Sequence, residues 1–93
     1  MSRQDSAHAL ALQALAFIVS EPETAGGFLA QGGLSPDELA ARAGDPDLLA
    51  AVMDFILSED RLVLDFAATA GVAPEKILSA RAALPGGDAP HWT

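Results

Sequence analysis

Cysteine is absent from this chain of 93 residues, which excludes a disulfide framework, a thiol nucleophile and a thiolate metal site. Basic residues are scarce, because five Lys and Arg stand against 13 Asp and Glu and give a net charge of −8. Nucleic acids and anionic membrane surfaces are bound by clustered Lys and Arg, so we expect neither of them as a partner.

The chain also lacks a long uninterrupted hydrophobic run. Residues 7–19 are apolar except for His8 and Gln13, and this stretch is shorter than the roughly 20 residues that span a bilayer. The N-terminus has neither the apolar core nor the cleavage site of a secretory signal. Together with the absence of cysteine, these features predict a cytoplasmic protein.

What the chain does contain is alanine and leucine, which supply most of its 51% hydrophobic residues and are strong helix formers. Prolines, which suit the first position of a helix, occur at intervals along the sequence. We therefore predict an all-α fold, a compact bundle of about six short helices. Residues 1–84 are predicted to form a single helical domain, and the Pro- and Gly-rich residues 85–93 an extended C-terminal tail.

Several short polar residues are predicted to cap these helices, because their side-chain oxygens accept hydrogen bonds from free amides of a first helical turn. Asp5 or Ser6 is expected to cap the first helix after a frayed terminus. Asp45 is expected to cap the fourth helix and Ser58 the fifth, and Ser35 opens the third with a capping box. The third and sixth helices are predicted to end near residues 43 and 84.

The glycine pair Gly26-Gly27 falls inside the second predicted helix, where each glycine costs about 1 kcal/mol relative to alanine. We expect either a bend at this point or the close approach of another backbone. Gly32-Gly33 follows and is predicted to end the helix with one residue at positive φ.

An internal repeat is the strongest signal in the sequence. Residues 17–21 recur as residues 55–59, an offset of 38 positions, and the segments 10–43 and 48–81 are identical at nine of 34 positions. The identities include core aromatics, a helix stop and a helix start. They predict two tandem three-helix units, at about 8–44 and 46–84, related by approximate internal two-fold symmetry. The alternative is convergent helical patterning in an alanine-rich chain.

No group of residues in the sequence has the spacing of a known catalytic or metal site. Neither His8 nor His91 has a second ligand at a metal-binding spacing. Asp54 lies among large apolar residues, but it shares a helical stripe with Asp47 and Ser58 that we expect to face solvent. We therefore predict no catalytic residue, no metal and no cofactor, and we do not expect an enzyme.

Trp92 is the one large aromatic outside the helical pattern, next to His91 in the tail. A tryptophan at this position either folds back onto a groove of the bundle or docks into a partner. His91 and Trp92 are thus the candidate contacts with a partner protein.

The segments Leu12–Phe17, Gly33–Leu39 and Leu49–Leu57 carry a resemblance to a known family. The chain resembles an alphaproteobacterial domain of unknown function, family 3572, over essentially residues 7–84. The resemblance implies a bacterial protein and supplies no catalytic or ligand-binding residues.

The apolar faces of the first and fourth helices are wider than the stripe of a typical surface helix, so neighbours must cover them on several sides. Apolar surface left uncovered would bind another protein or a second copy of the chain. The predicted function is accordingly a non-enzymatic protein–protein interaction or regulatory module. The alternative is a carrier of a small molecule or lipid, with an apolar cavity enclosed by Phe17, Phe28, Phe55 and Phe66.

Overall fold

The computed structural model describes residues 2–86, which contain α-helices and no strand. The predicted all-α class with about six helices is confirmed. In chain order the helices are α1 (Arg3–Val19), α2 (Pro22–Gly32), α3 (Pro36–Ala41), α4 (Pro46–Leu57), α5 (Asp60–Ala70) and α6 (Pro74–Ala82).

Proline begins α2, α3, α4 and α6, because its missing amide and fixed φ suit the first turn of a helix. The predicted capping box of α3 is present: Glu38 N donates to Ser35 Oγ at 3.2 Å, and Ser35 N donates to the Glu38 carboxylate at 3.0 Å. The predicted cap of α4 is also present, since Asp47 N donates to Asp45 Oδ1 at 2.9 Å.

The first helix begins earlier than predicted. Ser2 is its N-cap, and the Ser2 hydroxyl accepts a hydrogen bond from Asp5 N at 3.1 Å while Asp5 Oδ2 accepts one from Ser2 N at 3.4 Å. Asp5 is therefore the third helical residue of a capping box and not the cap, and Ser6 lies inside the helix. This reciprocal pair orders a turn that the sequence reading assigned to a frayed end.

Ser58 does not cap α5, as had been predicted. It is the C-terminal cap of α4 and donates its hydroxyl hydrogen to the Phe55 carbonyl at 2.6 Å. Glu59 takes the N-cap position of α5 without a side-chain hydrogen bond. The reason is local, because a serine in helical conformation reaches back to its own preceding turn more easily than forward to the next helix.

Two glycines end helices in the left-handed conformation, Gly33 at φ +65° after α2 and Gly71 at φ +70° after α5. The prediction of a positive φ at the end of the second helix is thus confirmed. At Gly26 and Gly27 no other backbone comes close, since an added Cβ would meet nothing within 4 Å at Gly26 and only the Phe55 ring at 3.7 Å at Gly27. Of the two predicted alternatives, the close approach of another backbone is therefore wrong, and the bend stays a prediction. Helices α3 and α6 also end two residues earlier than predicted.

The core lies between α1 and α4, and α6 packs against both of them. Among the residues of 2–86 that are fully buried, the largest side chains are Ile18, Leu49, Val52, Met53, Ile56, Phe66 and Ile77. Helix α4 therefore occupies the centre of the bundle.

Local structure repeats at the same offset of 38 residues as the sequence. Helices α2 and α5 both have 11 residues. The bond from Ser58 to the Phe55 carbonyl has its counterpart in Ser20, which donates to the Phe17 carbonyl at 2.7 Å. The surroundings of α3 and α6 differ, since α3 buries only Leu39 whereas α6 buries Ile77 and Ala80. Overall two-fold symmetry therefore remains a prediction.

Candidate functional site

The predicted partner contacts His91 and Trp92 lie outside the described residues. The prediction for the tail is neither confirmed nor contradicted by the structure.

The polar side chains that could take part in catalysis lie in separate places. His8 lines a groove of about 480 Å³ with Gln4, Asp5, Pro46, Ala83, Leu84 and Pro85. Arg42 pairs with Asp45 at 3.4 Å, and Asp54 lies at the edge of a different groove. Within residues 2–86 no group of three His, Asp or Glu side chains is arranged to hold a metal ion. The fold does not bring His8, Arg42 and Asp54 together.

Asp54 faces solvent as predicted, with its side chain 59% exposed, but it has a partner that the sequence did not indicate. Arg81 on α6 donates from Nε to Asp54 Oδ1 at 2.6 Å and from a terminal nitrogen to Oδ2 at 3.3 Å. The other terminal nitrogen donates to the Pro85 carbonyl at 2.9 Å. The arginine thus joins α4 to the turn after α6, which is a structural role.

The four phenylalanines form two pairs and do not surround one common cavity. Phe17 on α1 contacts Phe66 on α5, and Phe28 on α2 contacts Phe55 on α4, with ring centroids 5.4 Å apart in both pairs. The two pairs are repeat equivalents, because Phe17 and Phe55 lie 38 positions apart, as do Phe28 and Phe66. Tilted and edge-on pairs of this kind add stabilisation beyond the apolar area that they bury.

An open groove adjoins each aromatic pair. The α1–α5 groove, about 480 Å³, is lined by Gln13, Ala16, Phe17, Ser20, Phe66, Thr69 and Ala70. The α2–α4 groove, about 240 Å³, is lined by Phe28, Gln31, Gly32, Ala51, Asp54 and Phe55. Each residue of the second list is the repeat equivalent of a residue in the first. The two grooves thus have lining residues at matching positions, although their volumes differ twofold.

A further groove, the α5–α6 groove, is lined by apolar side chains from three helices and by two acids. It measures about 450 Å³ and is formed by Leu57, Asp60, Val63, Pro74, Glu75 and Leu78. Leu78 is 61% exposed, although burying a leucine side chain is worth about 1.5–3 kcal/mol. The groove therefore leaves apolar surface in water that a partner could cover.

The first unit has smaller side chains at the matching positions. The repeat equivalents of Leu78 and Val63 are Ala40 and Ala25, and Ala40 is exposed. Pro22 stands where the second unit has Asp60. At the α5–α6 groove the second unit thus has larger apolar side chains than the first unit has at the equivalent positions, and an added acid.

Sequence reasoning missed this groove because its apolar residues come from three different helices. Leu57 ends α4, Val63 lies on α5 and Leu78 on α6. One signal was available, since the short sixth helix is polar on most of its surface and carries a second leucine-sized residue, Leu78, beside the buried Ile77.

Comparison with known proteins gives a family and no function. The model of a family described as "Protein of unknown function (DUF3572)" matches residues 4–87, most of the chain. No curated protein and no solved structure matches the chain. Within residues 2–86 no helix has the length and apolar character needed to cross a membrane.

Proposed function

From its surface we propose that this chain, which belongs to the DUF3572 family, is a non-enzymatic module that binds another protein. The observation that supports the proposal is the α5–α6 groove, where Leu57, Val63 and Leu78 present apolar surface to solvent. Single exposed leucines are ordinary, but an open groove with several apolar side chains is typical of an interaction site.

The non-enzymatic part of the proposal is supported by the separation of the polar side chains. General acid–base chemistry needs its groups within hydrogen-bond reach of one substrate. His8 and Asp54 line different grooves, and the Asp54 carboxylate is held by Arg81. We further propose that the protein acts in the cytoplasm, as the cysteine-free sequence suggests, and that neither nucleic acid nor a membrane is its partner.

A carrier of a small molecule or lipid remains the alternative prediction. It needs apolar side chains around an enclosed space, and the contacts that Phe17 makes with Phe66, and Phe28 with Phe55, take up the rings that were expected to enclose it. The grooves beside these pairs open to solvent. The interaction module is therefore the function that we favour.

The test is affinity capture of the tagged full-length protein from lysate of its own cells, with quantitative mass spectrometry. Leu78→Ser is compared with Leu64→Ser, because Leu64 on α5 is 60% exposed and does not line the α5–α6 groove. We expect a stoichiometric partner with the wild type and with Leu64→Ser, and its loss with Leu78→Ser.

A chain ending at Gly86, which lacks His91 and Trp92, completes the set. A partner that survives Leu78→Ser and disappears on this truncation would place the contact in the tail and leave the interaction function standing. Recovery of the wild-type protein without any enriched partner would contradict the proposed function.

A further inference from the structure

We infer that the α5–α6 groove binds an amphipathic helix with a basic polar face, supplied by another protein. This inference rests on the proposed function and names the kind of partner. It is carried by three properties of the groove: its apolar floor, the sign of the charges that line it, and the helical geometry of its walls.

The apolar floor provides anchor sites for large side chains. Leu57 and Val63 are half-buried at the base of the groove, and Leu78 projects from α6 with 61% of its surface exposed. Ala40, the equivalent of Leu78 in the first unit, is exposed as well but smaller, so Leu78 adds apolar surface that the first unit lacks. A partner that covers Leu78 gains apolar burial at no cost to the bundle.

The charges that line the groove are negative. Asp60 is the first residue of α5 and Glu75 the second residue of α6, and both contribute to the lining. The nearby Arg61 lines a different groove, between α2 and α5. Charges at the rim of an interface mainly select the sign of the partner and accelerate its approach, while apolar contacts supply most of the affinity. The partner segment therefore carries Lys or Arg beside its apolar anchors.

The form of the partner follows from the walls of the groove. An extended peptide binds by adding a strand to a sheet edge, and residues 2–86 contain no strand. A polyproline segment binds to aromatic side chains, and the lining of this groove has none. An amphipathic helix lying in an apolar groove between helices is the remaining common mode.

A second copy of this chain is a poor occupant. Its five Lys and Arg are spread over the sequence, at Arg3, Arg42, Arg61, Lys76 and Arg81. No described helix therefore presents a basic face beside an apolar stripe. Apposing two α5–α6 grooves would place Asp60 and Glu75 of one copy against the same acids of the other, which is unfavourable.

The experiment uses a labelled helical peptide of about 18 residues with leucines at i, i+3, i+4 and i+7 and lysines elsewhere. Its binding to the full-length protein is measured by fluorescence anisotropy at low salt. Two peptides serve as controls: a leucine–glutamate peptide with the same spacing, and a leucine–lysine peptide with scrambled order. We expect binding of the amphipathic lysine peptide and at least tenfold weaker binding of both controls.

Variants of the protein locate the site. Leu78→Ser is expected to weaken binding about tenfold, the effect of losing one well-covered apolar contact, and Leu64→Ser to change it less than about twofold. Asp60→Asn with Glu75→Gln is compared with Glu23→Gln and Asp37→Asn, which remove the same two charges from other helix starts. Only the first pair should weaken binding, and raising the salt concentration should reduce the difference. Thermal unfolding by circular dichroism confirms that each variant folds.

Equal effects of Leu78→Ser and Leu64→Ser, or equal binding of the glutamate peptide, would overturn the inference. So would the absence of peptide binding, or a Leu78-dependent dimer seen by light scattering. None of these results decides the proposed function, because that function is judged by the capture of a native partner. The two proposals therefore fail independently.

Discussion

Arg81 shows how one side chain connects distant parts of this small protein. Its side chain is 18% exposed, and its guanidinium binds the carboxylate of Asp54 on α4 as well as the carbonyl of Pro85. The Arg42–Asp45 pair is longer, at 3.4 Å, and its arginine is more exposed, at 46%, whereas Asp45 at 37% is less exposed than Asp54 at 59%. Because solvent screens exposed pairs, the two ion pairs should differ in strength.

A double-mutant cycle tests this difference. Arg81→Gln combined with Asp54→Asn should give a coupling energy near 1 kcal/mol, the upper end of the range for partly exposed pairs. For Arg42→Gln with Asp45→Asn we expect less than about 0.3 kcal/mol, and asparagine preserves the cap of α4. The measurement is the free energy of unfolding from urea denaturation. Equal coupling in the two cycles would show that the Arg81 contact contributes no more to stability than the Arg42–Asp45 pair does.

Glycines at the ends and in the middle of α2 illustrate opposite effects of the same residue. Gly33 has a φ of +65°, which an L-residue adopts only at a cost of about 1–2 kcal/mol. Gly26 lies within the helix, and an added Cβ would meet no atom within 4 Å. We therefore expect Gly33→Ala to lower the free energy of unfolding by about 1–2 kcal/mol, and Gly26→Ala to raise it by about 0.5–1 kcal/mol.

Thermal and urea unfolding of both variants would measure these changes. Gly71→Ala is the matched control, because Gly71 ends α5 at φ +70° and should behave as Gly33 does. Destabilisation by Gly26→Ala would contradict the prediction. It would show that this position requires glycine for a reason that the described contacts do not explain.

At the scale of the helices, the second unit differs from the first in what it leaves uncovered. Helix α3 and helix α6 both begin with proline followed by an acid, Asp37 or Glu75. Only α6 adds an exposed leucine three positions after that acid, where α3 has Ala40. The second unit thus keeps the proline and the acid that begin the helix and adds an apolar side chain that lines the α5–α6 groove.

The buried faces of the two long helices agree more closely than their sequences. Leu10, Ala14 and Ile18 of α1 are buried, and so are their equivalents Leu48, Val52 and Ile56 of α4. The side chains at matching positions are not always of the same size, because Ala14 corresponds to the larger Val52. What the two helices share is thus the set of buried positions, more than the volume of each side chain. These positions fix how each helix is placed in the bundle.

At the scale of the whole molecule, the first unit does not bury its own long helix. Helix α1 packs against α4, α5 and α6, which all belong to the second unit, in addition to α2. Each unit has about 40 residues, a length at which a chain seldom folds without disulfides, metals or a partner. The two units should therefore fold only together.

This expectation is testable by cutting the chain between Gly44 and Asp45. Circular dichroism should show little helix in either half alone, because the apolar faces of α1 and α4 would then be exposed to water. An equimolar mixture should regain helicity and unfold cooperatively. Halves divided inside α4, after Ala51, serve as the control and should not recover. Cooperative unfolding of an isolated half would show that it is an independent domain.

The helices themselves, and most of their boundaries, are determined by the sequence alone. Proline at four helix starts, the capping pair Ser35 and Glu38, and glycine after α2 and α5 act within a few residues, so their effects can be read locally. The misplaced helix starts, those of α1 and α5, arose where two nearby hydroxyl or carboxylate groups competed for the same role. Such competition is decided by local geometry that the residue types do not specify.

The surface was decided by tertiary structure. Residue type and helical spacing placed Asp54 toward solvent, but its partner Arg81 lies 27 positions away and meets it only because α6 packs on α4. In the same way Leu57, Val63 and Leu78 form one groove only after three helices have assembled. Periodicity shows which side of a helix is apolar, whereas the packing of neighbouring helices determines how much of that side remains in water. The α5–α6 groove is therefore determined by the packing of its helices and not by the periodicity of any one of them.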